Sequence, residues 1–266
     1  MDDTLRGQVT RGAAEIYEEF FVPALFREWA PRVADAARLA PGERVLDVAC
    51  GTGVLAREAA GRVAPGGSVV GLDRNEGMLA VARREAPGIE WRPGMAEELP
   101  FADGAFDAVV SQFGLMFFED RVAALKAMWR VLRPGGRLAV AVWAALDRSP
   151  GYAAMVALLR RLFGDRVADE LRAPFALGDP ETLRSLFARA GVPGVEIRTP
   201  DGTARFPSLE AWVRTDVKGW TLADLIDDAQ YRTLLREAGR ELSRYVGQDG
   251  RVAFRCPAHV ATATRP

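Results

Sequence analysis

One stretch decides the fold: Val45-Leu46-Asp47-Val48-Ala49-Cys50-Gly51-Thr52-Gly53. A short apolar run that ends in a Gly-rich turn predicts a buried strand followed by a turn into a helix. A second apolar run, 68–73, ends at Asp73 and leads into another helical pattern. Strands that alternate with helices predict a parallel sheet with right-handed crossovers.

The alternation continues to Trp143 and then changes. We predict strands at 44–48, 68–73, 89–92, 105–112 and 137–143, with helices at 54–61, 76–85 and 123–132, the last stopped by residues 133–136. A helical segment, 13–38, comes first and is predicted to break at Pro23 and Pro31. The later part predicts helices at 151–172, 180–190 and 208–246, an extended segment at 196–206 with a turn at 200–202, and a last strand at 251–262.

Composition narrows the class of protein. The 266 residues are 49% apolar and 27% charged, with a net charge of −1, which is ordinary for a globular protein and shows no global basic excess for nucleic acid. Cys50 and Cys256 have neither metal-ligand spacing nor a disulfide framework, which fits a reducing compartment. There is no apolar signal segment and no membrane-spanning run. We therefore expect a cytoplasmic protein without a metal, a nucleic-acid partner or a membrane span.

The turn and its two acidic residues indicate a nucleoside ligand. Gly51 and Gly53 allow close approach of the backbone, and Asp73, at the end of the second strand, is placed to accept the hydroxyls of a ribose. The letters of 51–56 also satisfy the pattern of a dinucleotide site. A carboxylate at Asp47 disfavours a pyrophosphate and favours the ammonium and sulfonium of S-adenosylmethionine. An NAD(P)-dependent oxidoreductase is the alternative.

Four segments resemble the class I S-adenosylmethionine-dependent methyltransferases, especially the group that includes the ubiquinone/menaquinone C-methyltransferases. They are 45–53, 69–73, 94–101 (GMAEELPF) and 132–136 (LRPGG). The resemblance implies a Rossmann-like, doubly wound α/β sheet of seven strands, mostly parallel with an antiparallel last strand, with helical cap insertions. It also implies S-adenosyl-L-methionine as cofactor and S-adenosyl-L-homocysteine as product.

The resemblance further implies which residues hold the cofactor. Two positions depart from the family pattern: Ala49 stands where Gly is usual, and Met95 stands where an Asp usually meets the adenine. Adenine would then rely on the Ala96 N–H, with Met78 and Met95 packed on its ring. The implied cofactor-binding residues are Asp47, Ala49, Gly51, Thr52, Gly53, Asp73, Arg74, Met78, Met95, Ala96, Glu97, Ser111, Gln112 and Tyr17.

The acceptor side is less defined by the sequence. Gln112 and His259 are the only candidates for catalysis, and the predicted strand position of His259 favours a structural role. The aromatic and aliphatic residues of 113–118 and 208–246 suit an apolar or aromatic small-molecule acceptor. Two alternatives stay open: Tyr17 and Phe21 fit core packing equally well, and segment 208–246 also fits a homodimer interface. The candidate pocket residues are Phe21, Phe113, Met116, Phe117, Trp212 and Trp220.

These interpretations combine into one hypothesis. Residues 1–40 form a helical lid, and residues 41–266 form the methyltransferase domain with cap insertions at about 150–175 and 208–246. The enzyme transfers a methyl group to C, O or N of a small acceptor by in-line displacement, mainly through proximity and orientation. Because no general base is evident, a protein that binds S-adenosylmethionine without methyl transfer, such as a cyclase or a pseudoenzyme, remains a further alternative.

Overall fold

The sheet forms because the central strands are apolar on both faces. The computed structural model describes residues 11–218 and 221–266. Four of the five residues of β1 (Arg44–Val48) are buried, as expected for a strand covered by helices on both sides. The other strands are β2 (Ser68–Asp73), β3 (Glu90–Pro93), β4 (Phe106–Gln112), β5 (Leu132–Trp143), β6 (Glu196–Arg198), β7 (Thr203–Phe206), β8 (Val252–Arg255) and β9 (Ala258–Thr264).

Seven of these strands form one sheet in the order β3-β2-β1-β4-β5-β9-β6. The first five pair in parallel, and β9 runs antiparallel to both β5 and β6. The prediction of a seven-stranded, mostly parallel sheet with an antiparallel last strand is confirmed. The strand order reverses between β1 and β4, and such a reversal opens a crevice at the carboxyl ends of the strands.

The helices cover both faces of the sheet and one of its ends. Several begin with an acidic or amide cap, and α10 begins with a full capping box formed by Asp227 and Gln230. They are α1 (Arg11–Ile16), α2 (Trp29–Ala36), α3 (Val54–Val63), α4 (Glu76–Glu85), α5 (Arg121–Val131), α6 (Pro150–Phe163), α7 (Asp165–Arg172), α8 (Pro180–Arg189), α9 (Leu209–Lys218) and α10 (Asp228–Glu241).

The N-terminal segment differs from its prediction. Pro23 does not break the helix, because α1 continues as a π-helix over Tyr17–Phe26, with Arg27 N–H donating to the Val22 carbonyl five residues earlier at 2.8 Å. Pro31 is accommodated in the first turn of α2, where the missing N–H would have no helical partner. Wide helical turns of this kind are often found at functional sites.

Four further boundaries were wrong. The predicted helix at 151–172 divides at Gly164, and the predicted helix at 208–246 divides into α9, α10 and short 3-10 turns. The predicted last strand at 251–262 is two strands, of which β8 leaves the main sheet to pair with β7. The stop signal at 133–136 lies inside β5, because Gly135 and Gly136 bond with Arg265 at the end of the chain.

Candidate functional site

A cavity of about 120 Å³ lies in the crevice at the carboxyl ends of β1, β2 and β4. The nearby turn needs glycine at Gly51, whose φ is +55°, and it places Ala49 in the same left-handed region at +57°. We call this space the first cavity. Nine of the predicted cofactor residues line it: Tyr17, Ala49, Gly51, Asp73, Arg74, Met78, Ala96, Glu97 and Gln112.

Asp73 is positioned by the backbone on either side of it. Its Oδ2 accepts from Gly51 N–H at 2.8 Å, and its Oδ1 accepts from Asn75 N–H at 2.8 Å. Asn75 in turn caps α4 by accepting from Met78 N–H at 3.1 Å. Burial raises the pKa of Asp73, while these N–H donors act in the opposite direction. The carboxylate is thereby held at the wall of the first cavity, with capacity left to accept from a hydroxyl donor.

Asp47 of β1 is 1% exposed and does not line the first cavity. Neither of its carboxylate oxygens meets a partner in hydrogen-bond geometry among the described residues, although the Ala56 N–H acts to lower its pKa. Burial, followed by the nearby Asp73 carboxylate, raises the pKa of Asp47 well above its usual value. Two buried hydroxyls, of Thr52 and Ser111, are also without partners in the described part of the chain. Buried polar atoms normally have partners, so this group indicates a missing polar or cationic ligand.

Five of the predicted cofactor residues do not line the first cavity: Asp47, Thr52, Gly53, Met95 and Ser111. Met95 is 39% exposed and does not line it, in contrast to the prediction that it packs on the adenine. Gly53 serves packing, since a Cβ there would come within 2.3 Å of the Trp91 ring. Arg74 forms an ion pair with Glu119 at 3.0 Å, and Glu97 accepts from the Glu119 backbone N–H at 3.1 Å.

A second, aromatic space adjoins the first cavity. It measures about 60 Å³, and we call it the aromatic chamber. Tyr17, Phe113 and Phe117 line both spaces, so these three rings lie between them. Phe113 has a φ of +58° and stacks on Trp143 with ring centroids 3.8 Å apart. The remaining lining residues are Phe21, Leu25, Phe26, Trp143, Tyr152, Glu170, Leu171, Pro174, Phe175 and Asp216.

Tyr17 stands at the junction of the two spaces. It belongs to the π-helix and stacks on Phe21 and Phe26, with centroid distances of 5.6 and 5.1 Å. Burial, with the Asp73, Glu18 and Asp47 carboxylates, raises the pKa of its phenol. The hydroxyl therefore stays protonated at neutral pH, and Tyr17 is not a general base there.

The chamber has one buried carboxyl group, Asp216 of α9. Burial raises the pKa of Asp216 to about 8. The Tyr152 hydroxyl lies 3.5 Å from its Oδ1, and this hydroxyl and the Trp212 indole N–H act to lower the pKa. Its Oδ2 meets no partner in hydrogen-bond geometry among the described residues. Sequence reasoning missed both residues, because an Asp in an amphipathic helix gives no sign that tertiary packing will bury it.

Three predicted pocket residues do not reach the chamber. Met116 is in the core, and Trp212 packs on Phe254 at a centroid distance of 4.7 Å, behind the chamber wall. Trp220 lies outside the described residues. Trp212, Leu222 and Ile226, which were also considered for a homodimer interface, are buried within the chain itself.

The two catalytic candidates are held in different places. Gln112 lines the first cavity, and its Nε2 donates to the Phe26 carbonyl at 3.1 Å, which ties β4 to the end of the π-helix. His259 is fully buried in β9, and its Nε2 and Nδ1 each lie 2.8 Å from a partner, the Gly178 carbonyl and the Thr199 hydroxyl. His259 lines neither the first cavity nor the aromatic chamber, so its side chain is not placed to contact a ligand in either space.

A His259→Ala substitution is therefore expected to lower stability without weakening ligand binding. It leaves the buried Gly178 carbonyl without its partner, and one such unmet group costs about 1–3 kcal/mol. Chemical denaturation of the variant and titration with S-adenosylhomocysteine measure the two effects. A normal stability with impaired binding would contradict the structural role of His259.

Within residues 11–218 and 221–266, no group of three or more His, Cys, Asp or Glu side chains is arranged to hold a metal ion. In the same part of the chain, no helix has the length and apolar character needed to cross a membrane.

Comparison with known proteins places the chain in a family. A family described as "Methyltransferase domain" matches residues 46–140. Demethylmenaquinone methyltransferase of Beutenbergia cavernae is 44% identical over 131 residues, 47% of this chain and 53% of that protein. The chain thus spans about half the length of that relative. The enzyme of the same name from Thermus thermophilus is 40% identical over 61% of this chain and 80% of its own length.

A relative named for ubiquinone and menaquinone biosynthesis, a C-methyltransferase of Hahella chejuensis, is 34% identical over 67% of this chain and 78% of its own length. Among solved structures, phosphoethanolamine N-methyltransferase 2 of Haemonchus contortus with S-adenosylhomocysteine has a TM-score of 0.63 at 20% identity, covering 100% of this chain and 59% of that one. That likeness concerns the fold. The sequence relatives decide the assignment: the chain belongs to the S-adenosylmethionine-dependent methyltransferase family that includes the demethylmenaquinone and ubiquinone/menaquinone C-methyltransferases.

Proposed function

We propose that this protein transfers a methyl group from S-adenosyl-L-methionine to a C, O or N atom of a small apolar or aromatic acceptor. The observation that carries the proposal is the junction of the first cavity with the aromatic chamber across Tyr17, Phe113 and Phe117. A polar cavity beside an apolar one matches a charged cofactor beside an apolar acceptor. The names of the sequence relatives point to acceptors of the quinone class.

The residues that line the first cavity, together with the buried Asp47 and Ser111, fit the cofactor. Asp73 has room for ribose hydroxyls, and the unpartnered oxygens of Asp47 suit a cationic ligand, which would compensate its burial. Met78 and Ala96 are available to the adenine, and the buried Ser111 hydroxyl and the Gln112 amide oxygen to the methionine end. When bound, the cofactor supplies an electrophilic methyl group. The acid pair Asp47 and Asp73 argues against the pyrophosphate of the NAD(P) alternative.

The chain's own contribution is orientation and exclusion of water. Phe113 is fixed by its stack on Trp143, and Tyr17 by its stacks on Phe21 and Phe26. Rigid rings on three sides of the junction restrict an acceptor to few orientations, and orientation supplies a large part of the rate in displacement reactions. Closure by the same rings removes water from the reacting atoms.

We also propose separate roles for the N-terminal segment, as a lid, and for the cap insertions, as a wall of the acceptor site. The described part of the N-terminal lid, from residue 11, covers both spaces with Tyr17 and Phe21, and two ion pairs, Arg57–Glu18 at 2.7 Å and Arg84–Glu15 at 3.1 Å, fasten it to α3 and α4. Residues 1–10 lie outside the described residues. The cap insertions contribute the distal wall through α6, α7, the 173–175 turn and α9. The small chamber supports a small-molecule acceptor over nucleic acid, and the protein is proposed to act in the cytoplasm.

A substitution that fills the chamber tests the proposal. Phe175 lines the chamber and not the first cavity, so Phe175→Trp is expected to reduce methyl transfer at least tenfold while the affinity for S-adenosylhomocysteine stays unchanged. Phe163→Trp, the same change at a half-buried position outside both spaces, is the matched control and keeps full transfer.

Transfer is followed with methyl-labelled cofactor and a panel of quinols, phenols and amines. Calorimetry with S-adenosylhomocysteine and with NADH separates the cofactor classes. Binding of NADH alone would overturn the proposal. Tight binding of S-adenosylmethionine with no labelled product from any acceptor would favour a protein that binds the cofactor without transferring its methyl group.

A further inference from the structure

One polar pair in the aromatic chamber is left unexplained by the transfer of a methyl group. Asp216 is 2% exposed, and it faces a space lined mainly by aromatic and aliphatic side chains. It lines the chamber and not the first cavity, so it does not belong to the group that would hold the cofactor. A buried acid at an apolar wall lowers the stability of the fold unless the acid is hydrogen-bonded or paired with an opposite charge.

The geometry leaves one side of this acid open to a ligand. Its Oδ1 lies 3.5 Å from the Tyr152 hydroxyl. Its Oδ2 meets no partner in hydrogen-bond geometry in the described part of the chain, although the Trp212 indole N–H, also without such a partner there, is close enough to lower the pKa of Asp216. Tyr152 is itself held by packing, with Phe175 at 5.6 Å and Phe254 at 5.3 Å between ring centroids. The Tyr152 hydroxyl and the Asp216 carboxyl are both held in place, so together they offer a ligand two hydrogen-bonding groups at one end of an otherwise apolar space.

The charges around Asp216 indicate what this end binds. The titratable groups that face it are Tyr152 from α6, Glu170 from α7 and the Cys256 thiol after β8, and no described side chain that lines the chamber is cationic. With only neutral or acidic neighbours, the buried carboxyl is protonated at neutral pH, as its raised pKa also indicates. A protonated carboxyl both donates and accepts, and this matches an uncharged oxygen group.

We propose that Asp216 and Tyr152 form the specificity-determining end of the acceptor site and bind a hydroxyl or carbonyl oxygen of an otherwise apolar, ring-containing acceptor. This inference rests on the proposed function, since it takes the aromatic chamber to be the acceptor site. The acceptor is thus a phenol-like or ketone-like molecule whose oxygen points away from the first cavity, and the pair selects it over a hydrocarbon of the same shape.

Small ring probes test the inference without methyl transfer. Phenol, toluene and benzylamine are titrated into protein saturated with S-adenosylhomocysteine, with the fluorescence of the tryptophans as readout. Phenol is expected to bind about tenfold more tightly than toluene, the preference that one buried hydrogen bond confers. Asp216→Leu is expected to abolish this preference, and Tyr152→Phe to reduce it. Asp216→Asn, which keeps shape and polarity, retains part of it and guards against a Leu variant that fails to fold.

The outcomes separate this inference from the proposed function. If the unaltered protein does not bind S-adenosylhomocysteine, the proposed function itself is contradicted. If that binding is intact, three results overturn the inference alone. They are equal affinities for phenol and toluene, a phenol preference that survives Asp216→Leu, and a preference for benzylamine, which would show an ion pair in place of an uncharged oxygen contact.

Discussion

Asp47→Asn is expected to weaken the binding of S-adenosylmethionine by about 2–4 kcal/mol, or roughly thirty- to a thousand-fold. Asn has the size of Asp but no charge, so the packing around position 47 is retained. The loss follows because both Asp47 oxygens are buried and without a hydrogen-bond partner among the described residues, so a cationic ligand would pair with a charge that Asn lacks.

The pH dependence of binding gives a second signature of Asp47. Burial raises its pKa in the free protein, so at low pH the group carries a proton that must leave before it can pair with a cation. Affinity of the unaltered protein therefore rises with pH through the pKa of the free protein, and binding releases protons. Because Asp73, whose pKa is also raised, contributes as well, Asp47→Asn is expected to remove part of this dependence.

Calorimetry in buffers of different ionisation enthalpy measures both the affinity and the protons released. Asp216→Asn is the matched control, since Asp216 is another buried acid with a raised pKa, but it lines the aromatic chamber and, unlike Asp47, its pKa is not influenced by Asp73. Its cofactor affinity should equal that of the unaltered protein. An Asp47→Asn variant with unchanged affinity would show that the cation is held elsewhere.

Asp216→Asn is itself expected to change how stability depends on pH. The pKa of Asp216 is about 8 in the folded protein, above its usual value of 3.8. Between these values the folded chain keeps a proton that the unfolded chain has lost, so the free energy of unfolding falls as pH rises. At about 1.4 kcal/mol for each pKa unit, the loss amounts to roughly 5 kcal/mol by pH 8.

The Asn variant has no proton to lose at this position and avoids that penalty. Its free energy of unfolding relative to the unaltered protein should therefore rise from pH 5 to pH 8, as measured by denaturant titration at several pH values. Asp179→Asn is the control: Asp179 is an exposed helix cap with a lowered pKa, so its contribution acts below this range. A constant difference for Asp216→Asn across the range would mean that Asp216 is ionised in the folded protein.

The local sequence was sufficient to predict those parts of the structure that depend on contacts between neighbours along the chain. The strands β1 and β2 were predicted at their observed bounds, because a continuous apolar run between turn residues leaves few other arrangements. Nine of the predicted cofactor residues line one cavity for the same reason, since β1, β2 and β4 end at the same edge of a parallel sheet. Family resemblance supplied the chemistry.

The acceptor site could not be predicted in the same way, because it depends on contacts between residues that are far apart in the chain. The sequence marked Met116 and Trp212 as pocket residues because they are large and apolar, but the same property draws them into the core. Tyr152, Phe175 and Asp216 come together from three separate elements of the cap. Contacts between residues this far apart in the chain are set by how helices pack, which no local pattern records.

By itself, therefore, the sequence determined the main parallel strands of the sheet, the turn after β1 and the two acidic residues proposed to face a cofactor, because backbone propensity and apolar periodicity act over a few residues. Only the tertiary structure decided that Asp47 is buried without a partner, that Met95 lies outside the first cavity and that the aromatic chamber ends in Asp216 and Tyr152. Burial and the pKa of a side chain are properties of everything packed around it, and they exist only once the chain has folded.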